Sequence, residues 1–169
     1  MKNIFNIIGF QLSWWACVLG VKYGYSYLGP LLMFLFIVIH FSIFKSQISE
    51  LKLIVLFAFI GTIIDTAIAN TGILIYNGSY SQELLIAPLW ITAMWCGFCA
   101  TINHSLMWLK EKWILCFLMG AIFGPLSYIA GEKFEAISFQ SPFLTVNIVL
   151  AIVWGISIPL IFFFNSKIQ

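Results

Sequence analysis

A few residues in this chain could do chemistry, and each stands inside an apolar stretch. Asp65 lies within AFIGTIIDTAIAN, Asn103-His104-Ser105 falls near the end of PLWITAMWCGFCATINHSLMWL, and Tyr128 follows Gly124-Pro125. A carboxyl or an imidazole moves protons, whereas an amide or a phenol donates hydrogen bonds. Asp65 and His104 are therefore the candidate proton-transfer groups, with Asn103 and Tyr128 as candidate donors. Gln11, Trp90, Trp95 and Ser105 join them as binding candidates, together with the Gly124-Pro125 break. Pro125 lacks an amide and crowds the carbonyl of Ala121, so a kink or local unwinding is expected there. Freed carbonyls at such a break can take a ligand, although packing alone is the plainer reading.

Other chemistries find little support. His104 and Ser105 are neighbours on a helix and diverge by ~100°, so they do not make a base and nucleophile, and the chain has no GxSxG elbow. His40 and His104 have no nearby acid at ligand spacing, so no metal site is expected, and no cofactor is implied. Cys96 and Cys99 form a CxxC, but mid-span rather than at a helix N-terminus that would activate a thiol. With Cys17 and Cys116 they read as small packing residues.

Composition dictates what must position these groups. The chain has 169 residues, 62% of them hydrophobic and 8% charged, with a mean hydropathy of +1.04, too little polar surface for a soluble globule. An all-α integral membrane protein follows, in direct contact with the lipid bilayer. The net charge of +2 rests on dispersed lysines, which excludes nucleic acid as a partner. Six apolar segments, at 4–22, 28–44, 52–75, 85–109, 113–131 and 143–164, predict a single domain over 1–169 built as a six-transmembrane-helix bundle. Asn6, Gln11 and Ser13 interrupt the first segment and no cleavage motif follows, so it reads as a retained span.

Lysines set the orientation. With the N-terminus cytoplasmic, Lys2, Lys45, Lys52, Lys110, Lys112 and Lys167 lie inside and only Lys22 and Lys133 outside, so both termini are expected in the cytoplasm. Asp65 then lies ~20 Å beyond Lys52, in the outer half of the bilayer. An ionisable residue at that depth is a functional candidate, with a helix-stapling acid hydrogen-bonded to Thr66, Asn70 or a tryptophan indole on a neighbour as the alternative. His104 and Asn103 fall in the inner half, in the same leaflet as His40, which argues for two clusters rather than one. Ala58, Gly61, Thr62, Asp65, Ala69 and Gly72 make a small-residue stripe, and Gly120-x3-Gly124 is a GxxxG; both predict close helix approach. Phe134, Ile137 and Phe139 are expected to rest on the membrane surface.

Taken together, Pro88-Leu89-Trp90 with Trp95, Asn103-His104-Ser105-Leu106 with Trp108-Leu109, and Gly124-Pro125-Leu126-Ser127-Tyr128 with Ala130-Gly131 resemble a bacterial inner-membrane family termed domain of unknown function 2878. Phe10-Gln11 with Trp14, and Gly61 with Asp65, are weaker matches. In the family Leu-Gly-Ala tends to follow, whereas this chain reads Phe134-Glu135-Ala136. The resemblance implies a multi-pass protein of the bacterial cytoplasmic (inner) membrane. Genes of similar members often neighbour those of lipid-modifying enzymes, which implies a link to membrane-lipid metabolism and such enzymes as partners.

Three functions are compatible with these residues. The first is a non-catalytic accessory or assembly component. The second is a small enzyme acting on lipid or isoprenoid substrates, which requires a cavity open to lipid. The third is a small-solute or lipid carrier with Asp65 as a protonatable switch, although the two halves of the chain show no repeat.

Overall fold

A computed structural model describes residues 2–45, 47–80 and 86–168. Six α-helices and one short β-ribbon account for most of them: α1 (Lys2–Lys22), α2 (Leu28–Phe44), α3 (Ile48–Asn70), β1 (Leu74–Tyr76), α4 (Leu89–Cys99), α5 (Trp113–Lys133), β2 (Ile137–Phe139) and α6 (Phe143–Ile168). The helices α1, α3, α5 and α6 are each long and apolar enough to cross a membrane. Large apolar side chains point away from the protein, with Phe59, Ile114 and Leu144 exposed by 68%, 79% and 70%. Water would penalise that surface; acyl chains do not.

Helices α1, α2 and α3 bound α4 on several sides, α6 packs on α3, and α5 lies along α6. At one end Lys2 Nζ donates to Ile43 O at 2.9 Å, and Asn165 near the end of α6 exchanges hydrogen bonds with Asn103. The first and last helices therefore bring their terminal ends to the same end of the bundle. At the other end, Lys22 of α1 pairs with Glu135 at 3.1 Å. There β1 and β2 pair antiparallel, with Tyr76 opposite Ile137, which ties the α3–α4 connection to the α5–α6 connection. Alternation along β1 buries Leu74 and Tyr76 and exposes Ile75, so the tyrosine is turned inward.

The fourth apolar segment is not one continuous helix over 85–109. Residue 85 lies outside the described residues, and α4 has 11 residues, ~16 Å, about half of a bilayer core. Polar side chains capture its backbone beyond Cys99. Asn6 Nδ2 donates to Ala100 O at 3.0 Å, and Thr101 Oγ1 returns to Phe98 O at 2.6 Å. The chain continues as turns to a short 3-10 turn at Met107–Leu109, and the irregular backbone is tolerated because residues 100–102 are buried in protein. The third segment also ends early, at Asn70, followed by Gly72 with φ 73°.

Two further expectations are corrected. Ile137 is 4% exposed and packs over Gly131, and Phe134 is half-buried against Trp15, so this loop folds inward instead of resting on the membrane surface. Helix α5 continues through Pro125 without a break. The GxxxG does give close approach: a side chain on Gly120 would meet the backbone of Trp154 in α6.

Candidate functional site

The polar residues gather at two places, and α3 reaches both. Asp65 and Glu50, fifteen residues apart on that helix, stand ~22 Å from one another along its axis. They anchor separate clusters, as the depth argument predicted.

Around Asp65, which is 1% exposed, three donors converge. Tyr76 Oη donates to Oδ1 at 2.5 Å, Tyr128 Oη donates to the same oxygen, and Trp95 Nε1 donates to Oδ2 at 2.6 Å. Each partner comes from a different element, β1, α5 and α4, so one carboxyl joins three parts of the chain to α3. An indole N–H can only donate, so Oδ2 must accept, and both carboxyl oxygens are engaged within the protein.

Small residues allow this convergence. A side chain on Gly61, one turn before Asp65, would collide with the indole of Trp95. Trp95 in turn stacks on Trp154 of α6, with ring centroids 4.5 Å apart and planes 7° apart. Beyond Trp154 comes Gly124 of α5, where a side chain would strike that second indole. Two stacked tryptophans are thus held between two glycines, and four helices meet through them.

A cavity of about 440 Å³ adjoins this stack. Its wall is aromatic and aliphatic, including Phe10, Trp14, Trp15, Met94 and Phe98, with Asp65, Tyr128 and Ser127 as polar points. Gln11 and Leu126 line it yet are exposed, one on α1 and the other on α5, so the mouth lies between those helices. Rings of Trp15 and Phe134 meet at 5.1 Å and the Lys22–Glu135 pair lies beyond them, bridging the two sides of the mouth at the ribbon end. The buried indole N–H of Trp154, also in the wall, lies beside the Tyr128 hydroxyl and makes no hydrogen bond of normal geometry among the described residues.

The second cluster lies at the opposite end. Glu50 Oε1 is 3.1 Å from His40 Nε2 and 3.0 Å from His104 Nε2, and the two imidazoles pack edge to face at 4.7 Å. Asn6 Nδ2 reaches His40 Nδ1 at 3.2 Å, and Asn6 Oδ1 accepts from Ser105 Oγ at 2.6 Å. Close by, Asn103 and Asn165 exchange amide hydrogen bonds at 3.1 and 2.6 Å.

Of the candidates drawn from sequence, the structure gathers Asp65, Trp95, Tyr128, Gly124 and Gln11 around the cavity and places His104, Asn103 and Ser105 in the other cluster. Trp90 is buried and lines the cavity while its indole donates to Asn77 O at 2.9 Å. Pro125 is buried in α5 next to Gly124 and is not a cavity-lining residue. Asn6, Glu50, Tyr76, Trp154 and Asn165 belong to the clusters without having been singled out. Glu50 and Tyr76 sit where the sequence reads as polar connections, and long-range pairing brings them in. The acid that the two histidines lacked in sequence is Glu50.

These features define a class: a helical membrane protein whose bundle holds two separate buried polar centres. A family model described as "Protein of unknown function (DUF2878)" matches residues 3–160, and the chain belongs to that family. No curated protein matches the chain, and no solved structure does.

Proposed function

We propose that this is a multi-pass protein of a bacterial cytoplasmic membrane that takes an amphipathic, lipid-class molecule from the bilayer into the cavity between α1 and α5. On this reading it is a non-catalytic accessory component of membrane-lipid metabolism, with lipid-modifying enzymes as its partners. The cavity carries the proposal. Its volume of about 440 Å³ falls within the range of roughly 300–1,000 Å³ usual for small-molecule sites. An aromatic wall suits an acyl or isoprenoid chain, and the N–H of Trp154, in the wall beside Tyr128, offers a donor to a carbonyl or hydroxyl oxygen. A mouth facing the side of the bundle lets such a molecule enter without crossing water. The lysine asymmetry supports cytoplasmic termini, with the ribbon end outside.

A second reading, an enzyme on lipid or isoprenoid substrates, is favoured by one observation. Two phenols share one carboxyl oxygen beside the cavity, an arrangement in which Tyr128, held by Asp65, could hand its proton to a bound substrate and take one back from the same substrate. The carrier reading has less support, because three donors from three elements hold Asp65 in one position.

The test is to purify the protein in mild detergent, extract it with organic solvent and identify co-purified molecules by mass spectrometry. A stoichiometric apolar species should accompany the wild type and be lost from Ala130→Phe, a variant that fills the cavity from α5. Its absence from the wild type, or its retention by the filled variant, would count against the binding reading. Membrane lipids profiled after gene deletion test the metabolic link separately, and an unchanged profile would remove it.

A further inference from the structure

The cluster at the end of the bundle remote from the cavity has a different chemistry. His40 comes from α2, Glu50 from the first turn of α3, and His104 from the turns after α4. Their side chains are 0%, 5% and 16% exposed, and the ligand atoms lie within 4.8 Å of one another. We propose that His40 Nε2, His104 Nε2 and Glu50 Oε1 bind one divalent transition ion, with zinc the best fit, which locks α2, α3 and the 100–109 segment together.

Three observations support this. First, two imidazole nitrogens and a carboxylate oxygen are a common zinc donor set, complete as a tetrahedron when water takes the fourth place. Second, two of the three ligand separations are nearly right, and the third is within 4.8 Å. Ligands ~2.0–2.1 Å from a tetrahedral ion stand ~3.3 Å from each other. The two Nε2–Oε1 separations, 3.1 and 3.0 Å, need to open by only a few tenths of an ångström. Third, the surroundings suit an ion. Phe41 and Phe44 pack against His40, and Phe44 also covers His104 at 3.9 Å, giving a dry shell. The partial exposure of His104 leaves a path for entry and for the water ligand.

Binding has a consequence at Asn6. An imidazole that ligates through Nε2 keeps its proton on Nδ1 and must donate it. Asn6 now presents Nδ2 to His40 Nδ1, so its amide has to turn and offer Oδ1, giving up the bond to Ala100 O and those that Oδ1 accepts from Ser105. Uptake of the ion is thereby coupled to the point where the backbone leaves α4.

Titration of EDTA-stripped, detergent-purified full-length protein, carried on a tag without histidine, tests the proposal. One Zn²⁺ should bind per chain, and Co²⁺ should give the intense visible absorption of a four-coordinate N/O site. Glu50→Gln and His104→Ala remove direct ligands and should weaken binding by at least the roughly 10–100-fold that losing an outer-shell partner costs. Should these variants fail to fold, the Co²⁺ spectrum of the wild type decides alone. The proposal is overturned if the wild type takes up no stoichiometric ion, if its cobalt spectrum is that of the hexa-aqua ion, or if folded variants bind as tightly as the wild type.

Discussion

Gly61 and Trp95 compete for one space: the indole of Trp95 occupies the position that a side chain on Gly61 would need, and this seats its N–H on Asp65 one turn along the same helix. Gly61→Ala should therefore act beyond its own helix. Overpacking of this kind costs about 1–3 kcal/mol, and here the displaced ring also loses its carboxylate and its stacking on Trp154. The expected result is a thermal midpoint lowered by several degrees and a shifted tryptophan emission. An unchanged spectrum would show that the indole has another place to go.

Asp65 separates two kinds of loss. In Asp65→Asn the amide oxygen can still accept from Tyr76 and Tyr128, but the NH₂ faces the N–H of Trp95 and that bond is lost. Losing that bond and leaving a buried indole donor unpaired costs about 1–3 kcal/mol. Asp65→Leu strands all three buried donors and should fall into the exceptional range above about 4 kcal/mol. Unfolding midpoints of both variants in one detergent check the order. Equal destabilisation would mean that the three donors find new partners.

Much of this arrangement was legible in the sequence for physical reasons. Apolar length marked the four helices long enough to cross a membrane, and the cost of burying Asp65 required partners, one of which is a tryptophan indole, one of the three alternatives expected. The different depths of Asp65 and His104 separated the clusters. Glu50 and Tyr76 were hidden because each lies in a stretch rich in loop-forming residues and takes its place through contacts from distant segments: β2 positions Tyr76, and two histidines, 10 and 54 residues away, meet Glu50. The early end of α4 was hidden too. Helical periodicity continues through Thr101, and only the reach of Asn6 to Ala100 O, 94 residues away in sequence, shows why the helix stops.

Sidedness can be read by labelling. Gln140 stands exposed after β2 at the ribbon end, whereas Lys110 stands exposed beyond the 3-10 turn at the histidine end. With the ribbon end outside, a membrane-impermeant maleimide should label Gln140→Cys in intact cells and Lys110→Cys only after lysis. The four native cysteines are buried or half-buried, and the unmodified chain supplies the background. The reverse pattern would invert the proposed orientation and place the cavity on the cytoplasmic side.

Glu135 tests how a departure from the family pattern is tolerated. The resemblance leads one to expect glycine there, and Glu135 has φ 62°, in the left-handed region where a Cβ is unfavourable. Glycine would relieve about 1–2 kcal/mol of that strain but lose about 0.4–1 kcal/mol through the greater freedom of the unfolded chain. Glu135→Gly also removes the pair with Lys22. Glu135 is 73% exposed, so that pair contributes at most about 1 kcal/mol. These effects nearly cancel, and the stability of Glu135→Gly should stay within about 1 kcal/mol of the wild type. Glu135→Val keeps the strain, adds β-branching and loses the pair, so it should be clearly less stable. Unfolding midpoints of the two variants in the same detergent distinguish the cases. If glycine proved as damaging as valine, the ion pair with Lys22, not the backbone, would be what holds this turn across the mouth of the cavity.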